Sequence, residues 1–197
     1  MSPYCRIHAV CTANVAPMDI DGRRIMSGIA KTAVSHSALP ARIAVGKLGL
    51  AGDEQADPTV HGGLAKAVYA YPQEHYPFWE DACRRHGAAL PLPLPPGALG
   101  ENLLISGLLE GDVWVGDLIR FPDCLLRVSE ARQPCFKFQA RMGFRLAPKL
   151  MAQSGHCGFY LAVETPGTLG AGDEGALEPG PRRQDLPGLF RLRMRGR

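Results

Sequence analysis

Apolar positions along the 197-residue chain recur in two rhythms, and the two-residue rhythm of strands dominates. Arg6 to Cys11 (RIHAVC) alternates as a half-buried strand does. Ala41 to Leu50 forms a second strand-like run that stops at the turn Ala51-Gly52-Asp53, and Ala65 to Tyr71 gathers β-branched and aromatic residues into a third. Pro72 then fits the first position of a helix, and Tyr76, Trp79 and Cys83, at spacings of three and four, predict its buried face as far as His86-Gly87. From Gly100 onward short strands return at Asn102–Ile105, Val113–Val115, Leu118–Phe121 and Leu125–Val128, parted by Gly/Asp turns. Helical spacing reappears over Cys135–Phe144 and Leu146–Gln153, and Gly158–Glu164 reads as a last strand. Many short strands with few helices predict a mainly β chain with flanking helices (α+β), a barrel or sandwich rather than a βαβ fold.

After Thr165 the pattern breaks into glycine, proline and arginine, so the expected division is a β domain over 1–165 and a partly disordered segment over 166–197. Hydrophobic residues at 46% and charged residues at 21% exclude disorder throughout, and this length needs no disulfide or structural metal to hold a core. The longest uncharged run, His86 to Gly100, is broken by four prolines and too short to span a bilayer. With no secretory signal near Met1, the expectation is a cytoplasmic protein without membrane partners. The net charge of +3 is uneven: Arg182–Arg197 carries +5 and the rest −2. A mildly acidic body argues against a stable nucleic-acid complex. Edge strands make a homodimer a reasonable expectation.

Two segments carry more reactive groups than scaffolding needs. Gly49 to Lys66 places Asp53, Glu54, Asp57, His61 and Lys66 around a glycine turn and the pair Gly62-Gly63, where bare backbone can approach a ligand. Ser129 to Phe138 follows a predicted strand, and Pro134 puts Cys135 at a rigid bend between Arg132 and Lys137, whose charges favour a thiolate. The other five cysteines show no CxxC pair and no zinc-site spacing, and read as packing thiols. Between the two segments, Glu101 and Asn102 open a strand.

In this order and at these spacings, GLAGDEQAD, VHGG, KAVYAYPQEHYPFW, GENL, GDVWVGD and RQPCFKF resemble the MOSC-domain proteins, most nearly their bacterial N-hydroxylaminopurine resistance branch. The resemblance covers roughly residues 41 to 164. It implies a mixed β-barrel whose pocket binds the molybdenum cofactor (molybdopterin), with Cys135 as the ligand to molybdenum. It further implies cofactor contacts from Lys66, Asp53, Gly62, Asn102 and Arg132. Such a protein would reduce a small N-hydroxylated compound with electrons from a donor protein or reductase, and His61 or Glu101 would supply a proton. A second reading of the same resemblance is a cofactor or sulfur carrier that works through a Cys135 persulfide. One departure stands out: relatives in that branch carry a C-terminal helical domain, for which residues 166–197 are too few.

Overall fold

The computed structural model describes residues 3–57 and 62–195. Its centre is a closed barrel of seven strands. Around the ring run β13 (Glu174–Glu178), β9 (Leu118–Arg120), β10 (Leu125–Ala131), β11 (Phe159–Thr165), β7 (Val68–Pro72), β8 (Leu103–Ser106) and β1 (Tyr4–Thr12). β1 then meets β13 again, pairing Tyr4 with Ala176 and Arg6 with Glu174. All the barrel pairings are antiparallel except β7 with β8, whose parallel register needs a crossover. That crossover is α1 (Tyr76–His86) with the proline-rich link after it. Beside the barrel, β4 (Thr32–His36) continues from β1, β2 (Ala16–Ile20) and β3 (Arg23–Ser27) form a hairpin, and β12 (Gly167–Leu169), β5 (Ile43–Gly46) and β6 (Gly49–Leu50) form a small sheet. α2 (Phe136–Met142) and α3 (Ala147–Ser154) lie between β10 and β11, and α4 (Leu186–Arg195) closes the chain.

The expected mixed, mainly β architecture holds, with local differences. Tyr76, Trp79 and Cys83 are buried, with Trp79 fully enclosed and its indole N–H donating to the Tyr71 hydroxyl. Pro72, however, ends β7, and a single 3-10 turn at Gln73–His75 separates it from α1, whose own early proline is Pro77. Ala41–Leu50 is not one strand but a tight hairpin folding back at Lys47-Leu48, with Gly49 at φ +126°. Val113–Val115 makes only an isolated bridge between Trp114 and Asp185.

The largest correction concerns residues 166 to 195. The boundary expected at 165 falls inside the barrel, because β13 is one of its staves, paired on both sides. The glycines there serve packing rather than disorder. A Cβ at Gly175 would stand 2.6 Å from the Ile119 side chain and 2.7 Å from the Phe121 ring. Past β13 the chain wraps Asp117, whose carboxylate accepts from Gly180 N at 2.7 Å, Trp114 N at 3.1 Å and Arg182 Nη2 at 3.3 Å. α4 then buries Leu186 and Phe190 against β10 and the 3-10 turn Glu110–Asp112. Among the described residues no helix is long and apolar enough to cross a membrane.

Candidate functional site

A cleft of about 660 Å³, counting its open mouth, lies at one end of the barrel, where β10 gives way to the link carrying Cys135 and where β7 and β8 begin. Loop 27–31, the turn at 53–57 and Gly100 form its other walls. Two glycines set the spacing of those walls. At Gly28 a Cβ would stand 2.3 Å from the Glu54 carbonyl oxygen, and at Gly100, with φ +85°, 2.7 Å from the Ile29 side chain.

Cys135 is the residue before α2, in extended conformation, and its carbonyl accepts from the Phe138 and Gln139 amides. It lines the cleft and is half-buried, whereas the other five cysteines are buried. Burial pushes the Cys5 thiol up to about 12 and the Cys124 thiol to about 11, and raises Cys11 and Cys157 further, so those sulfurs stay protonated.

Arg132, three residues earlier, is buried with its guanidinium 4.8 Å from the ring centres of both Tyr69 and Phe138. This double stacking, with a bond to the Leu99 carbonyl, fixes a permanent positive charge in the cleft wall. Lys66 also reaches the cleft, 3.7 Å from Glu130 and 5.9 Å from the centre of the Tyr160 ring. Lys137 lies at the lip and donates to the Met26 carbonyl at 3.0 Å.

Asp53 and Asn102 meet directly. Asn102 Nδ2 donates to Asp53 Oδ2 at 2.9 Å and to the Cys11 carbonyl at 3.2 Å, while its Oδ1 accepts from Tyr69 N at 3.0 Å. Asp53 Oδ1 accepts from Ala13 N at 2.9 Å and from the buried Lys31 ammonium. The pair therefore spends most of its bonding capacity joining β1, β7 and the 53–57 turn, and it presents a neutralised floor to the cleft.

The expectations for Glu101, Gly62 and His61 fare differently. Glu101 does not reach the cleft: it is fully buried behind Gly100 and accepts from the Tyr76 hydroxyl, Gly97 N at 2.6 Å and Leu99 N at 3.1 Å. Burial raises its pKa, against those donors. It holds the 97–101 loop in shape and is not placed to hand a proton to a ligand. Gly62 is crossed by Gln55, whose Oε1 would lie 1.9 Å from an added Cβ and accepts from Gly63 N. Gln55, not Gly62, faces the cleft. His61 lies outside the described residues.

The sequence reading missed Lys31, Tyr69 and Tyr160 as cleft residues. Both tyrosines were legible as strand aromatics, but their shared register (Tyr69 opposite Tyr160, rings 5.2 Å apart) exists only in the folded sheet. Burial raises the Tyr160 pKa, so it remains a neutral hydrogen-bond donor.

Among the described residues no three His, Cys, Asp or Glu side chains converge as ligands for a bare metal ion. A metal in this cleft would have to arrive with ligands of its own and take one sulfur from the protein.

Comparison with known proteins gives consistent results. A family model described as MOSC domain matches residues 57–175. The chain is 39% identical over 155 residues to the uncharacterized protein YflK of Bacillus subtilis (strain 168), covering 79% of this chain and 65% of that one. It is 36% identical over 126 residues to a protein named Reductase from Gibberella moniliformis, covering 64% of this chain and 22% of the relative. It thus spans less than two thirds of either. The crystal structure of YiiM from Geobacillus stearothermophilus superposes with a TM-score of 0.72 at 32% identity, covering 96% of this chain and 83% of that one.

Proposed function

Because the chain belongs to the MOSC domain family, we propose that its cleft holds a molybdenum cofactor through Cys135 and reduces small N-hydroxylated compounds, hydroxylaminopurines among them. The observation that carries this reading is the solitary cleft-facing thiol set among fixed cations, with no ligand set for a bare ion beside it. The residues present fit such a group: one soft sulfur for a metal already chelated, and Arg132, Lys66 and Lys137 for an anionic pterin phosphate. The likeness to a protein named a reductase points the same way.

The bound cofactor would supply the two electrons that break the N–O bond, yielding an amine and water. The chain supplies the rest. Arg132, locked between two rings, gives a charge that needs no reorganisation when an anion arrives. Lys31 neutralises Asp53 and so removes a carboxylate that would repel that anion. Two protons must be delivered as the N–O bond breaks. Of the described cleft groups, the Tyr160 phenol is suited to pass one on, since it keeps its proton at neutral pH.

The test is elemental and pterin analysis of protein made in a cofactor-competent host, with amine formation followed under reduced methyl viologen. Molybdenum bound in equal proportion to protein, lost on Cys135→Ser, supports the reading. Purification without molybdenum, with a persulfide on Cys135, would replace it with sulfur transfer.

A further inference from the structure

The redox reading of the cleft requires electrons from outside, and the surface around Cys135 has the properties of a place to receive them. From Ala131 to Val163 the chain carries five arginines and lysines and no acid. The buried faces of α2 and α3 take up Phe138, Met142, Ala147 and Met151. Of the five cations, Arg132 is buried in the cleft wall and Arg141 is half-buried on the Ala98 carbonyl, which leaves Lys137, Arg145 and Lys149 toward the outer side. Elsewhere several surface arginines are matched: Arg42 with Asp123 and Asp173, Arg85 with Asp81, Arg120 with Glu178 and Arg127 with Glu164. Arg23, Arg24, Arg183, Arg193 and Arg195 are exposed without an ion pair among the described residues, but they do not line the cleft. Arg145 and Lys149 are exposed and have no such partner among the described residues. Set among them are apolar side chains that nothing covers: Phe136 at 52% exposed, Met26 at 50% and Leu146 at 42%. Lys137, whose ammonium ties α2 to Met26, belongs both to this face and to the lip of the cleft.

Resting on the proposed function, we propose that the α2–α3 face with Met26 is the docking surface for an acidic electron-donor protein of the ferredoxin class. Unmatched cations attract an acidic partner and set its on-rate, and only this patch combines them with the lip of the cleft. Exposed aromatic and aliphatic groups at the centre supply the short-range contact that a transient redox encounter needs, at the small end of interface sizes. Docking here brings the donor against the helix whose preceding residue is Cys135, which keeps the electron path short.

The experiment uses the full-length, cofactor-loaded protein and a small acidic [2Fe–2S] ferredoxin, with binding followed by fluorescence anisotropy at low and high salt. Arg145→Glu/Lys149→Glu should weaken binding by about tenfold at low salt and flatten its salt dependence. Arg145→Gln/Lys149→Gln should fall between this variant and wild type. Both residues lie outside the cleft, so turnover with reduced methyl viologen should be unchanged in either variant. Equal ferredoxin binding by wild type and the charge-reversed protein overturns the proposal. So does retention of wild type on anionic phosphatidylglycerol vesicles or a DNA duplex with no binding of ferredoxin. Absence of viologen-driven turnover would instead overturn the reading of the cleft, while the binding comparison still decides the dock.

Discussion

Phe190→Ala separates a docked C-terminal helix from a loose tail. Phe190 is 3% exposed and sits with Leu186 on the face of α4 that meets β10 and the turn at Glu110–Asp112. Truncating a buried phenylalanine costs about 3–5 kcal/mol, from lost transfer free energy and the void left behind. A short terminal helix can settle partly into that void, so the lower end, about 3 kcal/mol, is expected. For a protein of this size, with a urea m-value of about 2 kcal/mol/M, this corresponds to a midpoint lowered by roughly 1.5 M. The control is Leu192→Ala on the same helix, 59% exposed, which should change stability by no more than about 0.5 kcal/mol. Urea unfolding followed by circular dichroism reads both. If the two variants unfold at the same midpoint with unchanged m-values, α4 is not part of the core, and the reasoning from its burial fails.

Other substitutions probe the remaining layers. Cys135→Ser should keep the urea midpoint within about 0.5 kcal/mol while abolishing molybdenum retention and N-hydroxylamine reduction, read by metal analysis and turnover. Cys83→Ser should do the reverse, costing about 1–3 kcal/mol through a buried hydroxyl and sparing turnover. Gly158→Ala should cost roughly 2 kcal/mol or more in thermal melts. The position has φ +62°, and a Cβ would lie 2.5 Å from the Ala70 carbonyl oxygen, a backbone atom in β7 that cannot step aside. Burial alone would raise the Glu110 pKa, but the His75 bond at 2.7 Å, the His75 charge interaction and the Gly158 amide outweigh it and hold it below the usual range. A depressed carboxylate adds stability above its unfolded pKa of about 4.3 and loses it as pH falls through the folded value. Glu110→Gln should therefore cost about 1.5–3 kcal/mol at neutral pH, with the gap closing toward pH 3 in melts across the acid range.

The segments whose periodicity is strong, such as the Tyr76–Trp79–Cys83 stripe and the run before Cys135, appear in the fold much as their spacing predicts. What local pattern could not convey is pairing at a distance. β13 is only five residues long and its interior alternation is thin, so Gly175 reads as disorder until Ile119 and Phe121 are seen pressing on it. Cys135, Arg132, Lys66, Asp53 and Asn102 stand out as candidates in dense polar segments next to glycines and a proline, and the resemblance to the MOSC family implies that they share one pocket. Glu101 carried the same polar signature. Its separation from the cleft depends on Gly97 and Leu99 turning their amides inward, which no spacing rule encodes. Lys31 sits in the short loop between β3 and β4 with no motif around it, and only its ion pair with Asp53 reveals it.

The strand that closes the barrel also governs when the protein can come into being. Tyr4 to Arg6 pair with Glu174 to Ala176, so during synthesis one edge of β1 waits for a partner about 170 residues further along. Until β13 emerges that edge stands open beside a half-finished sheet, a template for pairing with another chain. Closure joins residues about 170 positions apart in sequence, the kind of contact that slows folding most. Emergence of β13, rather than completion of any motif around the cleft, is thus the earliest moment at which the ring can shut. Slow translation or crowding of nascent chains should reduce yield through aggregation before it affects the finished protein.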